Sequence, residues 1–289
     1  MTDEIPEALR SVSCTRFDCG QKCGYQFFRR YVLGERKPPT GALVFGRSDD
    51  EAKNTVYDHK IETGTTLDIP ECQEIFAANF EEKSGDVEDW GDDKPAELKD
   101  LGVTLIGHWR ETCAWSTNPV MTQKRFGLPI NYRTSGGDAK SFTFEGVLDL
   151  VEDVTSVGRV ITDNKTSKRK WSKKNVADST QALFYGVAAE REEELVELGV
   201  DPDQFHFHVA VKSKVPQLQA PATDPAMVRH TDAAERQGAI KRMALFHQQV
   251  EANMANDSFL PNRSHFMCSR KWCGWWSDCE KAFGGKVKE

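Results

Sequence analysis

The residues of this chain best suited to chemistry are two aspartates and a lysine held in apolar company. Asp149 interrupts the run Val147, Leu148, Leu150 and Val151, and Asp163 stands two residues before Lys165 in VITDNKTS. A solvent-facing strand alternates apolar and polar residues, so a run apolar on both parities marks a strand buried on both faces. Asp149 is out of place there unless it has a task. Asp163 and Lys165 share one strand face because side chains repeat every second residue. If residues 153–157 turn the chain and Glu152 faces Gly158, Asp149 lies opposite Ile161 and diagonal to Asp163, about 7–8 Å away between backbones. Two carboxylates converging in a sheet interior repel and lose hydration unless a cation sits between them. The expected chemistry is that of a bound cation with a lysine at its side. For an isolated D-x-K the plainer alternative is a surface hairpin whose acids face water.

Positioning these groups takes two strand arms, Phe142–Glu152 and Arg159–Lys165, preceded by a strand over Val120–Arg133 and the Gly136-Gly137 turn. Beyond them the pattern predicts one helix over Val176–Leu198, with Gln181 and Tyr185 four apart on one face. A strand follows at Phe205–Val211, where His206 and His208 read as the polar side of a half-buried element. Residues 214–228 form a loop and Asp232–Met254 a long helix. Upstream, a helix spans about Tyr25–Leu33, and another starts near Ala42. In the latter Gly46 permits a close backbone approach and Asp50, one turn on, belongs with Asp49 and Glu51 to a wet acidic face. Helices at Asp68–Glu82 and Pro95–Trp115 carry Cys72 and Cys113 as core thiols without partners. The organisation is mixed α/β: an N-terminal helical part over residues 1–63, a helical insertion over 64–118, a core over 119–228 and a closing segment over 229–289.

With 289 residues and 38% hydrophobic content, the chain can bury a substantial core. No apolar run approaches the roughly 18 residues of a membrane helix, and Met1–Arg10 is too polar for a signal peptide, so a cytoplasmic location is expected. The formal net charge of -7 is unfavourable in sum for a phosphate-binding protein. Its distribution matters more. Acids gather over Glu81–Asp100, whereas Lys168, Arg169, Lys170, Lys173 and Lys174 follow directly on the acid pair. Elsewhere such a run is a solvated face; here it suits a groove that tracks phosphates, with Trp171 available to stack on a base.

Eight cysteines in a reducing compartment point to metal or redox chemistry rather than disulfides. Cys268, Cys273 and Cys279 are spaced C-x(4)-C-x(5)-C and need a fourth, remote ligand from among Cys14, Cys19 and Cys23. Cys23 is preferred, because the helix that starts near Phe27 steadies it. Three near ligands plus one distant suit a 4Fe-4S cluster better than the paired spacing of structural zinc, which is the alternative.

Taken in order, SVS with Cys23, FGRSDDEA, GVLDLV, VITDNKTS, QALFY and the terminal cysteines resemble the RecB-like branch of the PD-(D/E)xK nuclease superfamily. More narrowly, they resemble its iron-sulfur members related to AddB nuclease domains and CRISPR spacer-acquisition nucleases. The resemblance covers most of the chain outside residues 64–118. It implies a restriction-endonuclease-like core, a central mixed sheet flanked by helices, joined to the helical insertion and an iron-sulfur staple. It further implies that Asp149 and Asp163 hold Mg²⁺ or Mn²⁺ with the Asn164 carbonyl, and that Asp50 stands where the family commonly has a histidine ligand. Lys165 would orient the attacking water or stabilise charge, and Gln181 and Tyr185 would position the DNA strand and the lysine. No element suited to reading base sequence stands out. The function so implied is a metal-dependent DNA nuclease, single-strand or end-directed, working in recombination, repair or replication with a helicase or recombination partner. The setting would be a bacterial or phage-infected cell, with a phage gene as the source. Two other classes compete: a catalytically silent DNA-binding scaffold, and a zinc-stabilised interaction protein.

Overall fold

A computed structural model of the chain describes residues 7–213 and 215–288; the first six residues of the segment read against a signal peptide lie outside it. In chain order, α1 (Glu7–Arg10) and β1 (Ser11–Val12) precede α2 (Cys14–Lys22) and α3 (Gly24–Phe27), the last continuing as a π-helical turn over Phe28–Val32. Next come α4 (Gly41–Thr63), α5 (Ile69–Ser84) and α6 (Pro95–Trp109), with a second π-helical turn at Arg110–Ala114. Three strands follow, β2 (Pro119–Arg133), β3 (Ala139–Val154) and β4 (Gly158–Ser167). The remainder is α7 (Lys173–Ala177), α8 (Thr180–Arg191), α9 (Glu193–Glu197), β5 (Val200–Val211), β6 (Gln217–Gln219), β7 (Val228–His230), α10 (Ala233–Ala255) and α11 (Trp276–Phe283). The chain divides into two compact units, Pro38–Phe126 with Val147–Arg236, and Met1–Lys37 with Gly127–Gly146 and Gln237–Glu289.

The first unit is built on a mixed sheet flanked by helices. β3 and β4 are antiparallel, β4 and β5 parallel, and both β6 and β7 lie antiparallel to β5. A parallel pair needs a crossover between its strands, and α7, α8 and α9 supply it. The single helix expected there is three, because side chains start new helices within it: Ser179 accepts from Ala182 N and Glu192 from Leu195 N.

The β3–β4 register also differs from expectation. Val154 pairs with Gly158, Glu152 with Val160 and Leu150 with Thr162, which brings Asp149 level with Asp163 rather than diagonal to it. The cause is a shorter turn. Val157 N–H donates to Val154 O at 2.8 Å, and Gly158 closes the loop at φ +104°, a conformation that disfavours any side chain.

Beside this sheet, α4, α5 and α6 share one core: Phe45 and Tyr57, Phe76 and Phe80, Leu105 and Trp109, packed with Leu150 of β3 and Ala210 of β5. α5 begins with a reciprocal cap, Glu71 N to Asp68 Oδ1 and Asp68 N to Glu71 Oε2, both 2.9 Å. Gly102 of α6 is required by packing, since a Cβ there would overlap the Phe76 ring. His206 and His208, read as half-buried, are only 3% and 4% exposed.

In the second unit, β1 runs parallel to the start of β3, with Ser11 level with Thr143. Its core is aromatic: the Phe17 and Phe27 rings meet Phe246 at 5.2 and 5.6 Å, and Phe28 stacks on Phe259 at 5.2 Å. Tyr25 N–H donates to Leu260 O at 3.2 Å, which seats the chain after α10 against the corner between α2 and α3.

Candidate active site

Asp163 and Lys165 lie on β4, and Asp149 beside them on β3. Asp163 is 1% exposed; its Oδ2 lies 2.6 Å from Lys165 Nζ, and its Oδ1 accepts from Gln181 Nε2 at 2.6 Å. Asp149 reaches across the ladder, its Oδ2 accepting from the Asn164 backbone N–H at 3.2 Å. Gln181 belongs to the first turn of α8, so the Ser179 cap fixes the residue that fixes Asp163. Tyr185, one turn later, donates to Val147 O at 3.0 Å, and its ring meets Phe126 edge-on at 5.7 Å. The pair was expected to position DNA and the lysine. Among the bonds it makes are one to Asp163 and one to the strand that carries Asp149.

α4 brings a third acid. Asp50 is half-buried and its neighbour Asp49 only 2% exposed, in an ion pair of 2.7 Å with the fully buried Lys53. The wet acidic face expected here is therefore largely an interior one. Its signal was the i, i+4 spacing of Asp49 and Lys53, which places opposite charges one turn apart on a helix. A Cβ on Gly46 would lie 3.7 Å from Thr166 Oγ1, an ordinary contact, so no backbone approach depends on that glycine.

The electrostatics follow from this crowding. Burial, and then the charge of Asp163, push the Asp149 carboxyl well above the usual range. Burial also raises Asp50, to about 6, with Lys53 opposing and Asp49 and Asp163 adding to the rise. Burial alone would lower Lys165, but Asp163 and Asp149 outweigh it and hold the ammonium above its ordinary value. Lys165 is thus a fixed cation and no base. Three carboxylates gather about Lys165; Asp163 Oδ2 pairs with its ammonium, while Asp50 Oδ1 is buried without a hydrogen-bond partner. Asn164 is 8% exposed, its side-chain oxygen and nitrogen likewise unpartnered. Such hard oxygen donors with excess negative charge suit Mg²⁺ or Mn²⁺. The donors fit in kind, but among the described residues no three His, Cys, Asp or Glu side chains form a group that could hold a metal ion, so binding requires the carboxylates to converge and Asp163 Oδ2 to share with or leave Lys165.

Past β4 the basic run is exposed. Lys168 and Lys174 have 72% and 83% of their side-chain surface free, with Asp93 and Asp178 as their acidic neighbours at 3.9 and 2.7 Å. Arg169, Lys170 and Lys173 are exposed as well. Trp171, expected to be free for a base, is half-buried against Phe207 with ring centroids 5.1 Å apart, and Gln219 holds its backbone through Trp171 N–H to Oε1 at 2.7 Å.

The second unit gathers the cysteines. Cys23 sits where α2 ends and α3 begins, its N–H donating to Cys19 O at 2.9 Å. Burial raises the Cys268 thiol, and so do the charges of Cys23 and Cys279. Cys273 is raised likewise by burial and by Cys23, Cys268 and Cys279, against a backbone N–H from Trp275. Cys23 and Cys279 thus lie within electrostatic reach of both Cys268 and Cys273. Cys14 and Cys19 are buried in α2, and burial pushes Cys19 to about 11. A tetrathiolate donor set fits an iron-sulfur cluster or zinc, again without a closed set among the described residues.

The fold agrees with comparison to known proteins. The family profile of the PD-(D/E)XK nuclease superfamily matches residues 11–280, and the chain belongs to that superfamily. Among solved structures it is similar to a "Putative exonuclease" from Eubacterium rectale, with 11% identity, a TM-score of 0.50, and coverage of 97% of this chain and 90% of that one. At that identity the likeness is one of fold. No curated protein sequence matches the chain. Among the described residues no helix is long and apolar enough to cross a membrane.

Proposed function

We propose that the chain is a metal-dependent deoxyribonuclease of the RecB-like branch that degrades DNA from single-stranded or free ends. One observation carries the reading: two aspartates brought level on adjacent strands, Asp163 buried and Asp149 half-buried, with a charged lysine 2.6 Å from the first and Asp50 Oδ1 nearby, buried without a hydrogen-bond partner. Asp149, Asp163 and Asp50 would hold the Mg²⁺ or Mn²⁺, with the Asn164 carbonyl. When bound, such an ion lowers the pKa of a water and screens the charge that grows on the phosphate. Lys165, held cationic, faces the same charge and stabilises it. Gln181 locks the Asp163 carboxylate, and Tyr185 locks the strand beneath Asp149. The basic residues Lys168, Arg169, Lys170, Lys173 and Lys174 would track the backbone without reading bases.

Cys23, Cys268, Cys273 and Cys279 would hold a 4Fe-4S cluster, with zinc as the other occupant of such a set. Supporting this choice of ligands, Cys23 and Cys279 both act on the Cys268 and Cys273 thiols and raise them. Recombination or repair in a bacterial or phage-infected cell, beside a helicase, is the setting the resemblance supports. The test is digestion of linear single-stranded, linear duplex and closed-circular single-stranded DNA with Mg²⁺ or Mn²⁺. Loss of both linear forms with the circle spared is expected. Cleavage of the circle would make the enzyme an endonuclease.

A further inference from the structure

We propose that Cys113 is a modification site, a thiol in contact with His208, itself backed by Glu152, at the base of a small-molecule cavity, where a neutral hydroperoxide oxidises it to sulfenic acid. Cys113 was read as a partnerless core thiol. Its Sγ lies 3.5 Å from His208 Nδ1, the other ring nitrogen of His208 lies 3.6 Å from Glu152 Oε1, and Thr162 Oγ1 donates to that same oxygen. Cys113, His208 and Glu152 are each no more than 5% exposed.

They line a cavity of about 590 Å³ whose remaining wall includes Leu218, Ala220 and Val228, within the size range of small-ligand sites. His206 enters the same cavity, 3% exposed, with its Nε2 lacking any hydrogen-bond partner. Because the two nitrogens of His208 face different partners, the arrangement is a relay from acid to imidazole to thiol and does not gather ligands around a metal. Burial opposes charge on both groups, yet His208 is raised to about 9 by Cys113 and Glu152, and Cys113 is lowered by His208. Lys53 and Tyr57 of α4, Glu152 of β3 and His206 of β5 are the other titratable groups about this pair.

Thiolate, imidazolium and carboxylate leave one negative charge in excess, so a neutral, partly apolar reactant is favoured. A hydroperoxide asks only for a thiolate and a proton donor. The Cys113 sulfur attacks the terminal oxygen of R–O–O–H, the S–O bond forms as the O–O bond breaks, and sulfur loses the two electrons that the peroxide gains. His208 gives its Nδ1 proton to the departing alkoxide, leaving ROH and a neutral imidazole.

The experiment exposes the full-length protein to cumene hydroperoxide with dimedone present and follows each cysteine peptide by mass spectrometry. Cys72, fully buried and pushed by burial to about 11, is the internal reference. Cys113 is expected to be labelled at least about tenfold faster than Cys72, at a rate that falls clearly less than tenfold per pH unit below pH 9. Labelling no faster than at Cys72, or a rate that falls about tenfold per pH unit below 9 as for an ordinary thiol, overturns the proposal. His208→Gln is expected to slow labelling about tenfold; a folded variant with an unchanged rate overturns it too, and if the variant misfolds the wild-type pH profile decides.

Discussion

Asp149, Asp163 and Lys165 crowd together, Asp163 buried and the other two half-buried. Carboxyls raised in this way hold protons at the expense of a cation, so affinity for a divalent ion should depend steeply on pH. With Asp50 near 6, Mn²⁺ affinity measured by calorimetry should weaken about tenfold per pH unit below that value. The sign for stability runs the other way in the metal-free protein. The folded state binds the Asp50 proton more tightly than the unfolded chain does, so this contribution is complete below the ordinary value of 3.8 and is lost as pH rises toward 6. Melting in EDTA should therefore occur at lower temperature at pH 7 than at pH 5, and Mn²⁺ should restore most of the difference. That these three come together was legible because an acid in an apolar run and D-x-K are local patterns. Glu152, His208 and Cys113 were not, since their partnership spans some 95 residues of sequence and each alone resembles an ordinary core or surface residue.

Elements set the precision of that arrangement. The turn at Gly158 moves the register of β4 by two residues relative to expectation, and thereby moves Asp149 from a diagonal to a level position. Turn length is weakly encoded, which is why strand identity was readable and pairing was not. The helix boundaries inside residues 173–197 were missed for a similar reason, as caps such as Ser179 and Glu192 act over three residues and are overridden in any periodicity count. Removing the Ser179 cap by Ser179→Ala should cost about 1 kcal/mol, read as a lower urea midpoint. It should also reduce cleavage, because Gln181 stands in the turn that Ser179 begins. On α6, Gly102→Ala forces a methyl group into Phe76 within the helical core and should cost about 1–3 kcal/mol with an unchanged urea m-value.

At the scale of the whole molecule, the mixed α/β class and membership of the nuclease superfamily followed from the order of motifs along the chain and the four long strands from their patterning, whereas β1 was not foreseen and the loop expected over residues 214–228 holds β6 and the start of β7. The division into two units did not, because it falls within β2 and β3, where a continuous strand gives no sign of a boundary. The unit that carries the cysteines makes its own prediction. Cys23→Ser should abolish the brown absorbance near 400 nm expected of an anaerobically purified cluster, whereas Cys19→Ser should keep it. Colourless wild-type protein carrying zinc would favour the other occupant.

The most direct measurement is metal-dependent digestion of end-labelled DNA by wild type and Lys165→Ala side by side, in Mn²⁺, Mg²⁺ and EDTA. Wild type should cleave only with metal, and the variant should bind the same DNA while cleaving about 10²–10³-fold more slowly. Equal turnover by the two proteins, or cleavage undiminished in EDTA, would contradict a metal-assisted site built on Asp149, Asp163 and Lys165.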